Sequence, residues 1–164
     1  PDITMHAHTA QGYDEIAQAL AALLDGEQDL IANAANTAAL IYHSLPDLNW
    51  AGFYLLRGDE LVLGPFQGKT ACVRIAMGRG VCGTAAQRRE TVLVEDVHAF
   101  PGHIACDSAS NSEIVIPLFD VAGDPRSALL GVLDLDSPEH ARFTAEDQRG
   151  LERLARIFER SLRA

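Results

Sequence analysis

The sequence has little positive charge and no long apolar run. Its 164 residues include 13 lysines and arginines against 23 aspartates and glutamates, which gives a formal net charge of −10. Nucleic acids and anionic membranes are bound by basic patches, so this balance argues against both as partners. No apolar stretch approaches the roughly 18 residues that a membrane-spanning helix needs. No segment resembles a signal peptide, and we therefore expect a cytoplasmic protein whose thiols are kept reduced.

Cysteine is also scarce, and its pattern excludes the common structural roles. The chain has three cysteines, Cys72, Cys82 and Cys106. An odd number argues against a closed disulfide framework. Successive spacings of 10 and 24 residues match neither the C-x-x-C pairs of zinc knuckles nor the thioredoxin motif. Because small or polar residues flank each cysteine, we interpret the three as reactive.

The residues alone leave several roles open for these thiols. Cys106 lies in a polar loop whose backbone N–H groups suit an oxyanion, so its position favours it as the nucleophile. Cys82 begins a predicted helix, where amide dipoles lower a thiol pKa, but burial as a small residue against the sheet is the better interpretation. A zinc site that combines Cys106 with His98 or His103 is a third possibility. We expect no bound metal or cofactor.

Hydrophobic periodicity predicts a single α+β domain. Helical spacing predicts helices at Asp14–Leu24, Asp29–Ser44, Gly80–Arg89 and Ala145–Leu162. Alternation and turn residues predict strands at Trp50–Leu56, Leu61–Phe66, Val73–Ile75, Val92–Val94, Glu113–Phe119 and Ala128–Leu135. We expect a flexible arm over residues 1–12, a domain over residues 13–164, and a structureless loop from Glu95 to Asn111 that walls a site.

Polar and aromatic residues recur on predicted strand faces. Trp50 and Tyr54 share one face, Asp134 and Asp136 share another, and Glu113 opens a third strand. Spacing alone favours a solvated face or a strand end for the aspartates. The alternative is a pocket in which the aromatic rings take an apolar or S-methyl end and the carboxylates take an ammonium. Burial among like charges would then raise one carboxyl pKa and make that group a proton donor.

Four stretches resemble a known family. They are NWAGFYLL, GPFQGKTACVRIAMGRGVCGTAA, VEDVHAFPGHIACDSASNSEIVIPL and GVLDLDS. This pattern is similar to that of the free methionine-(R)-sulfoxide reductases, which are single GAF domains. The resemblance covers roughly residues 10–160. It implies a central antiparallel sheet of about six strands, with the N- and C-terminal helices on one face.

The resemblance also implies roles for the cysteines. Cys106 would attack the sulfur of free methionine sulfoxide, release methionine and become a sulfenic acid. Cys72 would resolve that acid to a disulfide, and Cys82 would have an auxiliary part. Thioredoxin would be the external reductant, and the protein would be a homodimer.

The same resemblance implies a substrate pocket. The matching positions are Trp50, Tyr54, Glu113, Asp134 and Asp136. We expect Glu113 or Asp136 to protonate the sulfoxide oxygen and Asp134 to hold the substrate ammonium. Backbone N–H groups of the loop that contains Ala105 and Ser108 would hold the α-carboxylate. A non-catalytic GAF module that binds a small ligand is the alternative.

Overall fold

A computed structural model describes residues 10–103 and 108–163 of the chain. Within these residues, four helices surround one six-stranded sheet with the strand order β3-β2-β1-β6-β5-β4. The strands are β1 (Trp50–Arg57), β2 (Glu60–Gly68), β3 (Arg74–Ala76), β4 (Val92–Val94), β5 (Ser112–Phe119) and β6 (Leu129–Ser137). Every neighbouring pair is antiparallel. The predicted α+β class and antiparallel sheet are confirmed.

Three helices cover one face of the sheet: α1 (Ala10–Leu24), α2 (Leu30–Ser44) and α4 (Ala145–Ser161). Their apolar stripes pack on alternate residues of β1, β5 and β6, and the rings of Phe53 and Phe158 meet there at 4.8 Å. Side-chain caps fix where two of these helices begin. Asp29 accepts the Ala32 N–H at the start of α2, and Thr144 forms a capping box at the start of α4.

A buried ion pair ties α4 to the rest of this helical layer. Asp147 accepts hydrogen bonds from the Tyr13 hydroxyl at 2.7 Å and from Arg142 at 3.2 Å. Arg142 also donates to the carbonyl of Pro46 and, through its backbone N–H, to the hydroxyl of Ser112. These contacts satisfy charges that would otherwise be costly to bury, and they anchor the residue before Glu113.

The fourth helix, α3 (Gly80–Arg88), lies on the opposite face, against β5 and β6. Its inner side buries Val81, Cys82, Ala85 and Ala86. Gly83 allows the helix to approach closely, because an added Cβ there would lie 2.5 Å from the carbonyl oxygen of Ala76. The start of α3 is therefore held beside β3, above the face of the sheet that carries the polar residues.

Most predicted boundaries lie within two residues of those in the structure, and two differences are larger. Helix α1 begins at Ala10 and not at Asp14, so the last residues of the predicted arm are helical, whereas residues 1–9 lie outside the described part. The loop after β4 is not structureless as predicted, because Val97–Ala99 forms a 3₁₀ turn whose start is capped by Asp96. Among the described residues, no helix combines the length and apolar character that crossing a membrane requires.

Candidate active site

The strand register places the polar residues in two adjacent rows across β5, β6 and β1. These rows lie on the face of the sheet opposite α1, α2 and α4. Glu113 lies opposite Asp136, and Asp136 lies opposite Trp50. In the next row, Asp134 lies opposite Gly52. Side chains two residues apart share a face, so all these groups point to the same side, below α3. The structure brings the predicted carboxylates and aromatic residues together around one cavity.

The carboxylates are withdrawn from water to different extents. Glu113 is 8% exposed and Asp134 is 5% exposed, while Asp136 is partly buried. The solvated face that spacing favoured is therefore wrong for Asp134. Its Oδ1 atom has no hydrogen-bond partner among the residues that the structure describes. An unpartnered buried oxygen costs about 1–3 kcal/mol, which is expected where a ligand supplies the missing partner.

Cys82 closes this cluster from above. The helix α3 directs its side chain onto the strands, so that its Sγ lies 4.0 Å from Oε2 of Glu113 and can donate a weak hydrogen bond. Donor atoms of Cys82, Glu113 and Asp134 all lie within 4.8 Å of one another. Cys82 is a free thiol and is buried.

Burial changes the protonation of the cluster. It raises the pKa of Glu113 well above its ordinary value, and the charges of Asp134 and Asp136 add to this effect. Burial likewise raises the pKa of Asp134. Because the pKa of Glu113 is raised more strongly than that of Asp134, Glu113 is the carboxyl of this cluster best suited to carry a proton.

The thiol of Cys82 responds in the same direction. Its pKa is raised well above the usual value by burial first, and then by the charges of Asp134, Glu113 and Asp136. The lowered pKa that a helix start would give is therefore wrong, because desolvation and like charges outweigh the helix dipole. The interpretation of Cys82 as a buried residue against the sheet is confirmed.

Two aromatic residues form the wall beside the carboxylates. Trp50 stacks on Tyr54 at 5.8 Å and on Phe66 at 5.2 Å between ring centroids. Phe66, on β2, was not predicted, because the bulge that brings it beside Gly52 is not visible in the sequence. The two polar tips also have partners, since Trp50 Nε1 donates to the carbonyl of Lys69 and the Tyr54 hydroxyl donates to that of Cys72. The aromatic wall therefore holds the segment that carries Cys72.

The three cysteines that were predicted to be reactive differ in what the structure describes of them. Cys72 is disulfide-bonded, whereas Cys82 is not. Cys106 and Ala105 lie outside the described residues, so their roles stay predictions. Ser108 is exposed, and the nearby serine that lines the cavity is Ser110, whose hydroxyl accepts a hydrogen bond from Asn49.

The cavity itself is small, about 50 Å³, and several lining residues were missed. Arg79 precedes α3 and brings a cationic side chain to the rim. Thr70 also lines the cavity, as does His103, which lies in the loop that was predicted to wall a site. Burial, and then His98, lowers the pKa of His103. Only the pairing of these loops in space could have identified Arg79 and Thr70.

Comparisons with known proteins identify the family of this chain. The profile of the GAF domain family matches residues 12–162. The free methionine-R-sulfoxide reductase of Escherichia coli is 55% identical over 150 residues, which are 92% of this chain and 88% of that protein. The chain belongs to the free methionine-R-sulfoxide reductases.

Solved structures of this family superpose closely on the chain. The enzyme of Neisseria meningitidis in complex with its substrate is 47% identical, with a TM-score of 0.86 over 93% of this chain and 89% of that one. The reduced form of the Staphylococcus aureus enzyme is also 47% identical, with a TM-score of 0.86 over 92% and 95% of the two chains. Because each superposition covers nearly the whole of both chains, the similarity extends over the entire domain.

Proposed function

We propose that this protein is an oxidoreductase that reduces free L-methionine-(R)-sulfoxide to methionine. The observation that carries the proposal is a buried Glu113, whose pKa is raised well above its ordinary value, next to Asp134 and the stacked rings of Trp50 and Tyr54. A sulfoxide needs a proton on its oxygen before the S–O bond can break, and a buried carboxyl can supply that proton at neutral pH. Membership of the reductase family supports this substrate.

The two charged ends of a free amino acid have matching partners. The unpartnered Oδ1 of Asp134 suits the substrate ammonium. Arg79 and the amide groups at the start of α3 suit the α-carboxylate, together with the proposed loop donors between Ala105 and Asn111. The apolar rings of Trp50 and Tyr54 suit the S-methyl end. A peptide nitrogen carries no charge, so this arrangement favours free over peptide-bound methionine sulfoxide.

The redox steps are assigned to the two remaining cysteines. The thiolate of Cys106 attacks the sulfoxide sulfur while Glu113 protonates the oxygen. The oxygen passes to Cys106 as a sulfenic acid, and methionine leaves. The thiol of Cys72 then attacks that sulfur, which forms a disulfide and releases water. The disulfide-bonded state of Cys72 supports this order, and its partner cannot be Cys82, which is free.

A dithiol must return the enzyme to its reduced form. We propose thioredoxin, acting in the cytoplasm on a homodimer, so that the net reaction converts methionine sulfoxide and a dithiol into methionine, a disulfide and water. The high pKa of the Cys82 thiol argues against this residue as a nucleophile. In the catalytic cycle we assign Cys82 only the contact with Glu113.

A non-catalytic GAF module that binds a small ligand is the other candidate. The buried carboxylates argue against a phosphate-bearing ligand such as a cyclic nucleotide, because they would repel its charge. The two candidates differ in one direct way. Only the enzyme releases methionine.

The decisive experiment measures methionine release from free methionine-(R)-sulfoxide with thioredoxin and its reductase. The wild-type protein should turn over, and Cys106→Ser should be inactive while still binding the substrate by calorimetry. Cys72→Ser should release one methionine per chain and then stop. N-acetylmethionine sulfoxide, which lacks the ammonium, is the matched substrate control and should be a poor substrate. Full activity of Cys106→Ser would refute the assignment.

A further inference from the structure

The cluster formed by Cys82, Glu113 and Asp134 includes a buried thiol, Cys82, that the reductase chemistry does not require. One sulfur and two carboxylate groups, brought together by α3, β5 and β6, lie within 4.8 Å of one another and are all buried. Asp134 is 5% exposed, and its Oδ1 has no hydrogen-bond partner within the described ranges. That oxygen is an independent sign of a missing cation, since a buried carboxylate oxygen needs a donor or a positive charge.

We propose that this cluster binds a zinc ion, and that zinc inhibits the reductase by occupying the substrate's site. Zinc accepts thiolate and carboxylate ligands together and takes a tetrahedral arrangement. Three protein ligands leave a fourth position that faces the cavity, where water can bind. This inference rests on the proposed function, because it concerns the regulation of the same site.

Zinc binding would draw the three ligand atoms closer together. A tetrahedral zinc with ordinary bond lengths holds a sulfur and an oxygen ligand about 3.6 Å apart. The Sγ of Cys82 and Oε2 of Glu113 are 4.0 Å apart without any ion. The ligand atoms of Asp134 and of the other two residues lie within 4.8 Å of one another, so side-chain rotations must bring all three atoms closer to hold the ion.

Zinc and substrate compete because they use the same groups. The ion replaces the protons of Cys82 and Glu113, so Glu113 no longer has a proton to donate. It also occupies the Oδ1 of Asp134 that the substrate ammonium needs. The charge of Asp136, which lies opposite Glu113 across the strands, further favours a divalent cation. Inhibition therefore does not require zinc to reach Cys72 or Cys106.

The test separates Cys82 from the redox cysteines. The double variant Cys72→Ser, Cys106→Ser keeps Cys82 as its only thiol. Cobalt(II) serves as the spectroscopic probe, since a thiolate ligand gives it a near-ultraviolet charge-transfer band. We expect one cobalt ion per chain with this band, displaced by one zinc ion. In the double variant that also carries Cys82→Ser, the band should be absent.

A second test replaces Asp134 with asparagine, which has nearly the same size and shape but no charge. Asp134→Asn in the double variant should weaken zinc binding at least about tenfold. Asp25→Asn removes an exposed carboxylate next to the end of α1 and is the matched control that should leave zinc affinity unchanged. Circular dichroism checks that each variant is folded. If Cys82→Ser does not fold, the Asp134 arm decides the question.

Two assays measure whether zinc competes with the substrate. Free methionine sulfoxide should lower the apparent zinc affinity of the double variant, which cannot turn over. In the wild type, zinc should raise the KM at constant kcat, and chelator should reverse the effect. Absence of the thiolate band, equal affinity of Asp134→Asn and the control, or no competition with substrate would each overturn the proposal. If the wild-type protein lacks reductase activity but the thiolate band is present, the proposed function is wrong and the metal site stands.

Discussion

The Tyr54 hydroxyl offers a sharp test of how the aromatic wall serves the redox cycle. Tyr54 is 2% exposed, and its hydroxyl donates to the carbonyl oxygen of Cys72 at 2.8 Å. Tyr54→Phe removes this bond and keeps the ring that stacks on Trp50. Because burial raises the pKa of the phenol, the donor is present throughout the usual pH range.

The expected effect follows from the value of one hydrogen bond. A neutral hydrogen bond contributes about 0.5–1.5 kcal/mol, which corresponds to about a two- to thirteen-fold change in a rate. If the bond holds Cys72 where it meets Cys106, Tyr54→Phe slows disulfide formation by that factor and leaves methionine release unchanged. The melting temperature should fall by about 2–4 °C for each kcal/mol lost.

The assay is a single turnover sampled by rapid quenching. Methionine is measured by chromatography, and disulfide formation is measured by the loss of alkylatable thiols. Tyr42→Phe, on α2 in the helical layer, is the matched control and should change neither step. The reasoning is refuted if methionine release slows as much as disulfide formation, or if disulfide formation keeps its wild-type rate.

Three further variants test the acid, the aromatic wall and the ion pair. Glu113→Gln should lower the single-turnover rate about 10²–10⁴-fold, and wild-type activity should fall as pH rises through the raised pKa of Glu113; a flat pH profile would contradict this. Gly52→Ala places a Cβ 2.3 Å from that of Phe66. It should raise the KM and lower the unfolding free energy by about 1–3 kcal/mol in urea titrations, and wild-type values for both would count against the wall. Arg142→Met leaves buried Asp147 without its cation and should cost about 3–5 kcal/mol in the same titrations, where a loss below about 1 kcal/mol would exclude an important pair.

Alternation along each strand was sufficient to predict which residues share a face. It correctly paired Trp50 with Tyr54 and Asp134 with Asp136. It could not predict that Glu113 lies opposite Asp136, because that register depends on how β5 and β6 pair across a turn of several residues. Local pattern reports the face of a strand, whereas cross-strand neighbours depend on long-range pairing.

The raised pKa of Cys82 could not be predicted from the local sequence either, because it also depends on long-range pairing. The sequence around it shows only a helix start, which favours a thiolate. The carboxylates that reverse this preference come from strands that follow it by more than 30 residues, at Glu113 and Asp134. Arg79 and Thr70 were missed because loops from different parts of the chain bring them to the same cavity.

The buried carboxylates Glu113 and Asp134 link the proposed proton donor to the proposed choice of substrate. Since the pKa of Glu113 is raised in the folded state, the unfolded chain binds fewer protons as pH rises above the ordinary value. The cluster is therefore fully stable only at low pH, and stability falls as pH rises toward the folded pKa. A bound ammonium or metal cation offsets this penalty by neutralising Asp134. The buried, negatively charged surroundings that raise the pKa of Glu113 also favour a cationic ligand over an anionic one. Removing the charge of Asp134 should therefore lower the pKa of Glu113 and weaken the binding of a cation together.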